Sequence, residues 1–305
     1  WCIYPMYDFA HGQSDSIEKV THSICTLEFV PHRALYDWLI ENLEIYPSKQ
    51  YEFARLNMTY TVMSKRKLLQ LVNENHVSGW DDPRLVTIRG LKRRGITPEA
   101  IHMLAEEIGL SKSEPEIDWS LIESLNRKII DPISDRFYFV ADPIALDVID
   151  ASYQTIQLKR HPDFDRGFRE VQITGKFFIS ANDSKGLSKG QIIRLKDLYN
   201  IFIIDIQGNT IKAMHTDEKS SRDELTKIKK IQWVSEKNIK VSVVVPGILY
   251  EGEEINPNSL QTINGYGEEE IANLNEGDIA QFERFGFIRV DKVEPKGVTV
   301  ILTHK

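Results

Sequence analysis

At Tyr60–Leu68 the chain reads YTVMSKRKL, a strand-like run that gives way to Ser64, Lys65, Arg66 and Lys67. A serine followed by three cations on a loop could hold something negative. Read alone, the same run is an ordinary solvated charge cluster. A second basic segment, GWDDPRLVTIRGLKRRG, gathers Arg84, Arg89, Lys92, Arg93 and Arg94 within a few turns of chain. It is either an electrostatic footprint for phosphates or a solvated face. The two cysteines, Cys2 and Cys25, build no disulfide framework and have no metal-ligand spacing, so no metal site is expected. Nor does a histidine stand at a spacing that would activate either thiol. A reducing, cytoplasmic compartment is the expectation.

These groups must be positioned by a chain of 305 residues, long enough for two or three domains with their own cores. Its hydrophobic fraction of 41% excludes wholesale disorder. Its net charge of −7 argues against indiscriminate coating of nucleic acid while leaving room for a local basic track. No apolar run is long enough to cross a bilayer, and WCIYPMYDFAHG has no basic signal-type start. A beginning on strand-like WCIYPMY suggests a piece of a longer protein.

The first part reads as helical. His32–Tyr46 places Leu35, Trp38, Leu39 and Leu43 on one face, which predicts a helix lying on a core through those residues. A short helix is expected over Lys67–Asn75. Thr97–Leu110 has Thr97 as N-cap, Pro98 at the first helical position and Gly109 as its stop. Another helix, Trp119–Ile130, halts at Asp131-Pro132. Beyond about residue 137 the texture becomes β-branched and alternating, as in FYFVAD, YQTIQLKR, REVQITGKFFIS, KIKKIQWVS and IKVSVVVPGILYEG. Turn signals such as Gly208-Asn209 and Pro246-Gly247 separate the runs, and the pattern predicts one or two antiparallel barrels.

The blocks YPMYDFAHGQSD, THSICTLEF, QYEFARLN, VMSKRKL and GWDDPRLVTIRGLKRRG occur in an order and spacing that resemble the class I glutamyl- and glutaminyl-tRNA synthetases. The likeness continues through DPISDRFYFVADP, RLKDLYN, IQWVS and AQFERFGF. It implies a multi-domain fold: the C-terminal part of a Rossmann-type catalytic domain over residues 1–60, the phosphate loop with a helical tRNA-stem connector over 61–136, and two anticodon-binding β-barrels over 137–305. The implied activity is ATP-dependent activation of an amino acid and its transfer to the 3′ end of tRNA. VMSKRKL resembles the family's KMSKS-type loop. The resemblance makes Lys65 the principal phosphate contact, with Ser64 and Met63 shaping the loop. Arg55 matches a position beside ATP, and Leu56 one against the adenine. Mg²⁺ is expected on the ATP phosphates rather than in a protein cage.

The family holds two specificities. A glutamate carboxylate calls for a cation, best an arginine fork, and glutamate enzymes place one at the position of Cys25. The neutral Cys25 therefore favours glutamine, with Tyr7, His11, Phe29 and Gln50 matching neighbouring pocket positions. The alternative is a glutamate enzyme of the archaeal and eukaryotic type, whose β-rich tail is shared. The implied RNA partner is tRNA(Gln), held by Arg136, Arg194, Lys196, Gln281 and Arg284 at the anticodon and by Arg93 and Arg94 along the connector. No membrane partner is expected, and a monomer is. The family's HIGH-type motif is not present in these residues. That opens a further alternative, a truncated product that binds tRNA without activating an amino acid.

Overall fold

The computed structural model describes residues 2–114, 116–216 and 228–305. The chain forms two compact units, the first made of Trp1–Thr59 and His102–Leu121, the second of Tyr60–Ile101 and Ile122–Lys305.

In the first unit, helix α1 (Tyr7–Glu18) leads to strand β1 (His22–Thr26), helix α2 (Arg33–Asn42) and strand β2 (Lys49–Phe53). Residues 2–6, expected to be strand-like, form no strand, and Trp1 lies outside the described residues. Gly12 lets α1 lie close on α2, because a Cβ there would stand 3.2 Å from Cε2 of Tyr36. α2 buries Tyr36, Leu39 and Ile40, whereas Trp38 is 57% exposed and Leu35 and Leu43 are exposed too. The expected face is thus rotated: Leu39 is shared, but Tyr36 and Ile40 supply the contact, since Tyr36 meets the gap that Gly12 leaves.

β1 and β2 pair in parallel, with Ser23 opposite Gln50 and Cys25 opposite Glu52. Strand alternation puts these four on one buried face and leaves Ile24 on the other, 62% exposed. Strand β3 (Asn57–Met58) pairs with β4 (Glu116–Ile117), and Ala54 N–H bonds to Ser111 O at 2.7 Å. This is how His102–Leu121 returns to the first unit although the sequence reads it as connector.

The second unit begins with the connector helices α3 (Lys65–Asn73) and α4 (Ile88–Arg94). Thr87 caps α4 by accepting from Gly90 N–H at 2.9 Å, and Gly95 ends it at φ 98°. Helix α5 (Pro98–Ile108) has the expected cap, Thr97 Oγ1 accepting from Ala100 N–H at 3.2 Å, and α6 spans Trp119–Ile130. Arg84, read as part of a basic track, is only 9% exposed. It donates to both oxygens of the buried Asp82 (2.9 and 2.8 Å), to Ser259 Oγ (2.8 Å) and to His76 O (3.0 Å).

The β-rich tail contains two seven-stranded, barrel-like sheets among the described residues. One runs β5 (Asp135–Phe137), β20 (Ile279–Phe282), β21 (Gly286–Glu294), β22 (Gly297–His304), β16 (Asn238–Pro246), β19 (Leu260–Glu268) and β6 (Phe139–Ala141). The other runs β14 (Lys230–Ile231), β11 (Ile192–Leu195), β12 (Asn200–Gln207), β13 (Thr210–Thr216), β7 (Pro143–Val148), β10 (Lys176–Ser180) and β15 (Val234–Ser235). The hairpin β8 (Gln154–Lys159) with β9 (Phe168–Ile173) stands beside them, with β17 (Tyr250–Glu251) and β18 (Glu254–Ile255) a smaller one.

Both large sheets are mixed rather than antiparallel. β5–β20, β16–β22, β7–β13 and β11–β14 pair in parallel, and each joins strands far enough apart in sequence for the crossover a parallel pair requires. The residues Phe137–Val140 face two cores in alternation. Phe137 and Phe139 enter the core with Phe282 and Val300, while Tyr138 and Val140 enter the core with Phe177 and Trp233. Lys227, at the head of the KIKKIQWVS run, lies outside the described residues.

Candidate functional site

Three groups of side chains carry chemistry, one in the first unit and two in the second. The first centres on α1. Tyr7 opens the helix and packs its ring on Phe29, centroids 4.5 Å apart, and on His11 one turn later, at 4.8 Å. His11 also meets the edge of Tyr36 at 5.4 Å. Its Nε2 lies 2.9 Å from Ser23 Oγ and 3.0 Å from the Asp15 carboxylate, which accepts from the hydroxyls of Ser23 and Tyr36 as well. Asp15, Ser23 and Tyr36 thus orient the ring cluster, and sequence reasoning missed them. The signal was the His11–Asp15 spacing of four, which has meaning only once α1 is a helix.

Cys25 and Gln50 form the buried strand floor of this group. Burial raises the Cys25 thiol and the neighbouring Glu52 charge raises it further, so it stays a neutral S–H. Burial likewise raises the Tyr7 phenol, with Cys25, Asp15 and Asp8 adding to it. The cations beside the floor, Arg33 and Lys112, both face Glu52, at 3.5 and 3.3 Å. Among the described residues these two cations are thus already paired with Glu52. Arg55 is exposed and its side chain makes no ion pair or hydrogen bond among the described residues, while Leu56 is half-buried.

The second group is the start of α3. Lys65 is its first residue and Ser64 its N-cap, whose hydroxyl caps no backbone N–H. Lys65, Arg66 and Lys67 follow in the first turn with no acidic residue among them. A helix N-terminus already carries about half a positive charge, so these cations stand where the helix itself repels them. The cost is met by Leu68 and Leu71, which bury α3 against Val77, Leu85 and Leu249. The result is a concentrated positive field with a free hydroxyl, suited to phosphate. Met63 precedes it, half-buried.

The third group lies on the β-rich tail. Arg136 on β5 and Gln281 on β20 are register partners. Arg136 Nη2 donates to Asp131 at 3.0 Å and approaches His161 Nε2 at 3.2 Å, while its buried Nε makes no hydrogen bond among the described residues. Gln281 Oε1 and Gln232 Nε2 are buried and unsatisfied in the same way. Arg284, at φ 64° in the β20–β21 turn, donates to both Asp183 oxygens at 3.0 Å. It borders two recesses, of about 560 Å³ beside Gln281, Phe285 and Lys305 and about 210 Å³ beside Asn182, Gln232 and Glu283. Buried donors and acceptors without partners at an open recess suit the edges of unstacked bases.

Other predicted contacts have partners inside the protein. Arg194 donates to Asn200 Oδ1 at 3.1 Å, and Lys196 pairs with Glu283 and Asp197 over the Tyr138 ring. Arg93 forks onto Asp291 at 2.9 and 2.8 Å and reaches Asp81 at 3.1 Å. Arg94, expected on an RNA-facing track, is 9% exposed and donates to Glu123 at 2.7 Å and Thr303 O at 3.1 Å. Its guanidinium faces inward and ties α4 to α6 and β22. Arg84 likewise faces inward. Arg89, Lys92 and Arg289, by contrast, have side chains without ion pairs or hydrogen bonds among the described residues. They line a recess of about 450 Å³ with Trp80.

Among the described residues, no three His, Cys, Asp or Glu side chains are grouped to hold a metal ion, and no helix is long and apolar enough to cross a membrane. Residues 1–132 match the model for tRNA synthetases class I (E and Q), catalytic domain. Residues 134–217 and 230–291 match two models for the anti-codon binding domain of the same class. The glutamine–tRNA ligase of Rhodopirellula baltica is 41% identical over 95% of this chain and 54% of its own length. That of Vibrio cholerae is 41% identical over 95% and 58%, and that of Pseudomonas syringae pv. tomato 37% over 97% and 58%. The chain therefore spans a little over half the length of these relatives.

Proposed function

Because the chain belongs to the class I tRNA synthetases for glutamate and glutamine, we propose that the protein carrying it is a glutamine–tRNA ligase. The observation that carries the specificity is the neutral floor of the first group. Cys25 is uncharged, and Arg33 and Lys112 are engaged by Glu52. Glutamate would bury a carboxylate against that floor without a counter-charge, a penalty that discriminates strongly.

The reaction has two steps. The α-carboxylate of glutamine attacks the α-phosphorus of ATP and expels pyrophosphate. The ribose hydroxyl at the tRNA 3′ end then takes the activated acyl group and releases AMP. Tyr7, His11, Phe29 and Gln50 would hold the side chain, with Arg55 and Leu56 on the nucleotide. Lys65, with Ser64 and the N-terminal N–H groups of α3, would stabilise the charge that grows on the departing phosphates. Mg²⁺ would arrive on ATP and supply further charge compensation there. Arg136, Gln281 and Arg284 would read anticodon bases of tRNA(Gln). The expected setting is the cytoplasm, and the expected state a monomer.

The test is amino-acid-dependent pyrophosphate exchange by the full-length protein. Exchange with glutamine supports the reading. Exchange with glutamate alone overturns the specificity, and exchange with neither overturns the enzyme in favour of a tRNA-binding role.

A further inference from the structure

The segment between β8 and β9, residues 160–167, is docked on β5. Arg136 N–H donates to Arg160 O at 2.7 Å, and Arg160 and Arg166 both donate to the Asp135 carboxylate, at 3.0 and 2.6 Å. Within this segment the side chain of His161 is fully buried. Its Nδ1 accepts from the backbone N–H groups of Asp163 and Phe164, both at 3.1 Å, and the Phe164 ring meets it edge-on at 4.9 Å. The imidazole is therefore held by its own turn.

Those two bonds also fix the tautomer. A nitrogen that accepts N–H bonds carries no proton, so the ring proton is on Nε2. Nε2 stands 3.2 Å from Nη2 of Arg136 and 3.6 Å from Oδ1 of Asp131, which accepts from that same Nη2 at 3.0 Å. An arginine has donors only, so Nε2 and Nη2 meet as two N–H groups and cannot bond each other. Asp131 is the acceptor beside both, and it takes the Nη2 hydrogen. One side of the guanidinium is thereby closed. Nε and Nη1 are left without a partner among the described residues.

We propose that His161 is a positioning residue for anticodon reading: its buried Nε2–H, set by the turn and standing against Asp131, fixes the plane of the Arg136 guanidinium so that the unpaired N–H groups face one base. This rests on the base-reading role of Arg136 proposed above. A freely rotating arginine can follow an acceptor wherever a base presents one, and loses side-chain entropy in doing so. A guanidinium already held between Asp131 and His161 answers only to an acceptor in the right direction. Such fixing contributes to discrimination between bases more than to total affinity.

The two ring nitrogens can be tested apart. His161→Asn keeps an acceptor near the place of Nδ1, since an asparagine side chain bonds the backbone N–H two residues on, and it loses Nε2. His161→Gln sets an amide near the place of Nε2 and loses the acceptor at Nδ1. Binding titrations of the full-length protein with tRNA(Gln) transcripts, unaltered and with each anticodon base changed in turn, measure discrimination, and thermal melting measures stability. His161→Asn is expected to lower discrimination by roughly 10-fold at one anticodon position, with little change in melting temperature. It should be the position that Arg136→Gln affects, and adding His161→Asn to Arg136→Gln should change discrimination no further. His161→Gln should do the reverse, lowering the melting temperature while discrimination is kept. Should His161→Asn not fold, unaltered discrimination in Asp131→Ala overturns the proposal. Equal loss at all anticodon positions, or discrimination that follows melting temperature across the two His161 variants, would also sink it. Arg136→Gln without effect at any anticodon position removes the reading beneath it, and an effect in Arg136→Gln that His161→Asn does not share removes the proposal alone.

Discussion

Arg136 and Gln281 face each other as register partners on parallel strands β5 and β20, each with a buried polar atom that nothing among the described residues satisfies. One offers an N–H and the other an oxygen. Such a pair costs stability unless a ligand completes it. Gln281→Met should weaken tRNA binding by about 1–3 kcal/mol without changing its salt dependence, because no charge is lost. Binding titrations at several salt concentrations check this. An unaltered affinity would remove Gln281 from the RNA contacts.

Lys65→Ala should lower adenylate formation by about 10²–10³-fold, the scale for losing one group aimed at transition-state charge. Affinity for tRNA should change little. Single-turnover exchange and a binding assay on the same preparation separate the two. Equal loss of both would make the start of α3 structural rather than catalytic.

The recess lined by Trp80, Arg89, Lys92 and Arg289 brings two connector cations and one from β21 together, none with an ion pair among the described residues. If RNA phosphates approach this face, Arg89→Gln and Arg289→Gln should each reduce the slope of log affinity against log salt by about 0.7–0.9. Arg94→Gln should leave the slope unchanged and lower the melting temperature instead, since its guanidinium is buried on Glu123 and Thr303.

Asp82 and Arg84 make a buried staple. Burial would raise the Asp82 carboxyl, yet Arg84 and the backbone N–H groups of Ser78 and Arg84 hold it below the ordinary carboxylate value. A folded-state pKa depressed in this way contributes stability above the unfolded pKa, roughly 4, that is lost as pH falls through the folded value. Stability should therefore drop on acidification below about pH 4, and Asp82→Asn should flatten that part of the profile. Arg84→Ala should cost about 3–5 kcal/mol by stranding a buried charge. Chemical denaturation across pH measures both.

Much of this was legible in the sequence, for identifiable reasons. The cap at Thr97, the Pro98 start and the Gly109 stop marked α5 because capping is local chemistry. The family resemblance rested on collinear blocks and needed no geometry. α1 was obscured because WCIYPMY looks like a strand and hides the helical spacing that begins at Tyr7. The face of α2 was rotated because Gly12, on another helix, decides which side chain finds room. Arg84 and Arg94 looked like surface charge because a sequence shows a cation but not its partner, and their partners Ser259 and Thr303 lie far along the chain. The parallel pairings escaped for the same reason, being contacts between distant strands.

The alternation of Phe137–Val140 between two cores has a consequence for how the β-rich tail comes apart. This short segment is a common wall, and withdrawing it takes aromatic rings from both cores at once. Neither sheet can melt while the second keeps its packing. Heating should show one cooperative transition for the tail, with Trp233 fluorescence and far-ultraviolet ellipticity changing together.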